Sequence, residues 1–188
     1  MPESTNSDLD RTIGFIRHIG LDVVEGRPND EPAFNPDSYV WMHQGTLYVD
    51  RAKSHYGDLL HEAGHLAVLP SFARERATGD VDESCGPLIR VWMEENGDKL
   101  LQWPEDPIAR ACIQCGDHEA IAWSYAAAVA IGVEPYACFE NGFPDEEART
   151  SAWMGCQMKQ FMGINGLRAG GFFQRVKDYP QMEKWLAP

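Results

Sequence analysis

The chain has 188 residues, 44% of them hydrophobic, with six tryptophans, which fits one folded domain and excludes a disordered polymer. Its formal net charge of -13, with lysine and arginine scattered, disfavours a nucleic-acid or anionic-membrane partner. Met1 to Asp8 shows no secretory signal, no apolar run is long enough to span a bilayer, and five cysteines suit reduced thiols; the expected location is cytoplasmic.

In chain order, Asp8 to Ile19 carries apolar residues at Ile13, Phe15, Ile16 and Ile19, the spacing of a helix that Gly20 ends. Leu21 to Glu25 reads as a short strand, and the polar stretch from Arg27 to Asp37 as a loop. Tyr39–His43 and Thr46–Asp50, separated by Gln44-Gly45, predict a hairpin. Gly57 to Val68 predicts a buried helix stopped before Pro70. Ser71 to Arg110 is rich in charge and turn residues, with short strands expected at Leu88–Trp92 and Lys99–Trp103. Asp117 to Ile131 is the strongest helix, ended by Gly132, and Asp117 is placed to cap it. Further helices are expected over Arg149–Met162 and, broken near Pro180, over Phe172–Leu186. Trp153, Met154, Met158 and Met162 fall at helical spacing and read as core.

The chemistry concentrates at His61-Glu62-Ala63-Gly64-His65. On a helix, residues four apart lie one above the other, so His61 and His65 can grip one cation from one face. Glu62 then stands beside it, ready to take a proton from water. A hydrolytic zinc site needs a third protein ligand, and the absence of His-x-x-Gly-x-x-His after His65 excludes the metzincin arrangement. Asp117-His118-Glu119 offers three candidates. Glu119 is favoured because it shares a helical face with Ala122, Tyr125, Ala126 and Val129; Asp117 and His118 are then supports or a cap.

His61-Glu62-x-x-His65, followed by Glu119-x-x-Ala122-x-x-Tyr125-Ala126, resembles the gluzincin-type metallopeptidases, most closely the minimal ImmA/IrrE-type family. The resemblance runs from Tyr39 to Gly132, with Ser71–Arg110 as an insertion in a single domain spanning residues 1–188. It implies an α+β, zincin-like fold: a small, mostly antiparallel sheet packed on the motif helix, with a second ligand-bearing helix across the metal. It also implies one Zn2+, a glutamate base and a peptide or protein substrate. Tyr125 and His118, with Tyr136 and Arg168 behind them, are candidates to steady a developing oxyanion. One hairpin strand is a candidate cleft edge for an extended peptide. The alternative function is a non-catalytic zinc-binding regulatory or interaction domain. Cys112-x-x-Cys115-x-x-His118 is a competing metal constellation, with Cys85, Cys138 or Cys156 to complete it, although buried structural thiols are the simpler reading.

Overall fold

The computed structural model describes residues 3–27, 39–101, 105–140 and 143–188. Helices dominate, and a small sheet packs beside them. α1 (Glu3–His18) starts earlier than its apolar pattern suggested and buries Leu9, Ile13 and Ile16 along one stripe. β1 (Asp22–Glu25), β2 (Val40–His43) and β3 (Thr46–Val49) form one sheet in the order β1-β3-β2. The hairpin is as expected, and its turn places both Gln44 (φ 48°) and Gly45 (φ 73°) in the left-handed region that a tight hairpin twist requires.

The sheet is mixed, not mostly antiparallel, because β1 pairs with β3 in parallel while β2 pairs with it antiparallel. Apolar alternation encodes which face of a strand is buried, not the direction of its neighbour. On the outer edge of β2, Met42 O accepts from the Gly79 N–H at 2.9 Å.

α2 (Tyr56–Val68) carries the motif. His55 caps it by accepting from the Gly57 N–H through Nδ1 at 3.2 Å. Leu59, Leu60, Ala63, Leu66, Ala67 and Val68 are fully buried, and the least buried positions of the helix are Asp58, His61, Glu62 and His65. These four recur at intervals of three and four, so α2 is sunk in the core except for one polar stripe. Arg74 closes its far end, donating to Leu66 O and Leu69 O at 2.8 Å and to Ala187 O at 2.5 Å.

The segment expected to hold strands is helical: α3 (Ser71–Arg74), α4 (Val81–Glu95), α5 (Gly97–Leu101) and α6 (Pro107–Ile113). Leu88–Trp92 lies inside α4, where Cys85 and Ile89 form the buried face, four residues apart. Asp80 caps α4 by accepting from Glu83 N. Of the second expected strand, Lys99–Leu101 belongs to α5 and the rest lies outside the described residues.

α7 (Asp117–Ile131) has the predicted bounds and the Gly132 stop (φ 72°). Its N-cap is Gly116, however, and Asp117 is its first helical residue. α7 lies between α2 and α9 (Met162–Ala169), and glycines set both spacings. A Cβ on Gly64 would stand 2.6 Å from Ala120 O, and one on Gly163 would collide with His118 O. α8 (Glu146–Gln157) precedes α9, the two separated at Lys159 (φ 59°), so the single helix expected over Arg149–Met162 is divided.

The expected last helix is instead an irregular tail with a 3-10 turn at Val176–Asp178. Tertiary anchors hold it: Tyr179 Oη donates to Ala122 O and Trp123 Nε1 to Trp185 O, each at 2.9 Å. Trp153 packs on the core, whereas Met154, Met158 and Met162 are exposed, contrary to the expectation that they are core. Among the described residues no helix is long and apolar enough to cross a membrane.

Candidate metal centre

The polar stripe of α2 meets the start of α7. His61 Nε2 and His65 Nε2 are 3.2 Å apart, their rings perpendicular. Asp117 Oδ1 lies 3.7 Å from the first and 3.5 Å from the second. Among the described residues these three form the one group of histidine, cysteine or carboxylate side chains with donor atoms close enough to share an ion. The spacing suits zinc: ligands at Zn–N of about 2.0–2.1 Å define a tetrahedron with edges of about 3.3 Å. Here the three edges are 3.2, 3.5 and 3.7 Å.

Protonation supports the same use. Burial pushes both imidazoles below their ordinary value of 6.5, His65 to about 4, despite the opposing pull of Asp117. Both are therefore neutral at pH 7, the form that ligates a cation. Glu62 lies next to them on the stripe. Burial first, then the charges of Asp58, Asp117 and Asp80, raise its carboxyl to about 7. A cation beside it would pull that value down again and leave a carboxylate able to accept a proton.

Glu119, the third ligand expected from the sequence, is outside the group; Asp117, expected as a cap or support, is inside it. The Glu119 carboxylate is packed against the backbone of Gly166, with Oε2 near Gly116. Burial raises its pKa, while the N–H groups of Glu119 and Gly116 counteract the rise. This is the third-position half of a capping box, a carboxylate serving the free N–H groups at the helix start. The periodicity argument misled because α7 is buried on every side from Ala120 to Ala128. A helix without a polar face has no stripe to select one first-turn acid over another. Gly64, the glycine inside the motif, is where the backbone of Ala120 approaches, and Asp117 lies one turn before Ala120 on the same face.

The oxyanion candidates are dispersed. Tyr125 is inside the core, stacked on Tyr179 at 5.9 Å and edge-on to Phe139. His118 is exposed beside Asp117, its ring 5.6 Å from that of Phe161. Tyr136 Oη donates to Glu146 at 3.4 Å, and Arg168 is exposed in the last turn of α9. The competing cysteine constellation does not assemble. All five thiols are free, and Cys115 Sγ donates to Cys112 O at 3.4 Å. Burial pushes the Cys112 and Cys115 thiols up to about 11 and about 12, away from the thiolate a metal needs. Compared with protein-family models, curated proteins and solved structures, the chain matches none.

Proposed function

We propose that this protein is a zinc-dependent hydrolase that cleaves a peptide bond, with His61, His65 and Asp117 as the ligands of one ion and Glu62 as general base. The observation that carries the reading is the convergence of two neutral imidazoles and one carboxylate oxygen at near-tetrahedral spacing, beside a half-buried glutamate on the same stripe. The resemblance of the motif to gluzincins supports it, with Asp117 taking the place first given to Glu119.

An ion held there would supply Lewis acidity toward a water molecule and a scissile carbonyl. The chain does the rest. His61 and His65, fixed on a buried helix, hold their nitrogens in place with little reorganisation. Asp117 would offset the charge of such an ion from the opposite helix. Glu62 accepts the proton of the attacking water and returns it to the departing amine, so its carboxyl ends the cycle as it began.

Zinc titration of the chelator-stripped protein tests the reading. One equivalent is expected to bind, with affinity lost in His61→Ala and Asp117→Ala and retained in Glu119→Gln. Glu62→Gln is expected to keep the metal and lose turnover on a peptide library. Zinc bound undiminished by His61→Ala and Asp117→Ala would refute the site, and full turnover in Glu62→Gln would refute the base.

A further inference from the structure

Three large apolar side chains that a folded domain would normally bury lie together on the surface. Met154 is 43% exposed, Met158 54% and Met162 64%. With Phe161, Gly155, Thr150 and Ser151 they line an open groove between α8 and the start of α9, of about 840 Å³. Its charged lining residues are both acidic, Glu146 and Glu147.

We propose that this groove is the cleft that docks the substrate, and that the substrate is a basic polypeptide segment carrying large apolar side chains. This rests on the hydrolase reading above and adds the class of chain it acts on.

Three observations select that occupant. The first is place. Phe161, a wall of the groove, lies against the ring of His118, and His118 adjoins the ligand Asp117 in the first turn of α7. The N-terminal turn of α9 is locked onto the same spot through Gly163 and His118 O. The Phe161 end of the groove therefore borders the first turn of α7, which carries Asp117.

The second is the lining. Methionine is unbranched and polarizable, so three of them accommodate differently shaped apolar side chains without a rigid pocket. The third is charge. Glu146, ion-paired with Arg149, and Glu147 rim the groove, and Asp58, Asp80, Asp82 and Asp117 act on the two histidines, in a chain of net charge -13. An acidic segment would be repelled by Glu147 and by the net negative charge of the chain, whereas lysine or arginine between the apolar anchors would be attracted.

The experiment uses the full chain carrying Glu62→Gln, so that a bound peptide is not consumed, and reads fluorescence anisotropy of three labelled peptides. One alternates leucine with lysine, one leucine with glutamate, and one serine with lysine. The leucine–lysine peptide is expected to bind at least tenfold more tightly than either of the others. Met154→Ser combined with Met158→Ser is expected to weaken it at least tenfold, and both positions are exposed enough to change without unfolding the chain. The same double variant should bind zinc as the parent does, which separates a damaged groove from a damaged fold. Equal binding of all three peptides, or unchanged affinity in the double variant, would overturn the proposal. So would a dimer in sedimentation that the double variant dissolves, because the groove would then be filled by a second copy. Absence of zinc binding in the parent would defeat the hydrolase reading alone, since anisotropy is read without turnover.

Discussion

Gly64→Ala probes the contact on which the metal group depends. In an open helix the change would stabilise by about 1 kcal/mol, because alanine loses less backbone freedom than glycine. Here the added methyl would stand 2.6 Å from Ala120 O and 3.2 Å from Ala120 C and Cα, all of them backbone atoms that cannot rotate away. Reaching ordinary contact requires α7 to retreat by about 0.8 Å, taking that contact to be about 3.4 Å. Retreat is opposed on the far side of α7, where Gly163 and Gly166 of α9 already touch His118 O and Glu119. Overpacking of this kind costs about 1–3 kcal/mol, which exceeds the propensity gain. The net expectation is a loss of up to about 2 kcal/mol. The same retreat draws Asp117 from the imidazoles, and the expected loss of zinc affinity is at least tenfold. Gly14→Ala is the matched control: Gly14 is also inside a helix, α1, and is exposed, and its added methyl meets nothing within 4 Å, so stability should rise by up to about 1 kcal/mol. Urea unfolding and zinc titration of both variants provide the measurement. A Gly64→Ala protein as stable as the parent, with undiminished zinc affinity, would refute the reasoning.

Three other outcomes are expected. Arg74→Met removes the donor that satisfies Leu66 O, Leu69 O and Ala187 O at the end of α2, and should cost about 2–3 kcal/mol in urea unfolding. Tyr179→Phe leaves the ring in place but removes the hydroxyl that donates to Ala122 O, for a smaller loss of about 1 kcal/mol. The pH dependence of the metal-free protein follows from the depressed imidazoles. Their unfolded-state value is 6.5 and His65 falls to about 4, so the unfolded chain binds protons first and stability declines as pH falls from 6.5 to 4. His65 alone sets a ceiling of about 3 kcal/mol on that decline. Glu62 acts in the opposite sense, since its raised value favours the folded state at low pH and the benefit fades as pH rises through 7. Glu62→Gln should therefore steepen the decline between pH 6.5 and 4.5; a shallower slope in that variant would show that these buried groups do not govern acid stability.

What could be read from the sequence was local. The motif helix, its stop before Pro70, the hairpin with its Gln44-Gly45 turn, and α7 with its Gly132 end follow from hydrophobic period and turn chemistry, which act over a few residues. The pairing of His61 with His65 belongs to the same class, because helix geometry alone puts them on one face. Tertiary packing decided the rest. Asp117, and not Glu119, reaches the imidazoles because Gly64 admits the backbone of Ala120, a meeting of residues far apart in the chain. The parallel pairing of β1, the helices between residues 71 and 113, and an irregular tail anchored by Ala122 O and Trp123 likewise depend on distant partners. A short-range pattern records which side of an element avoids water; only the assembled fold determines what that side touches.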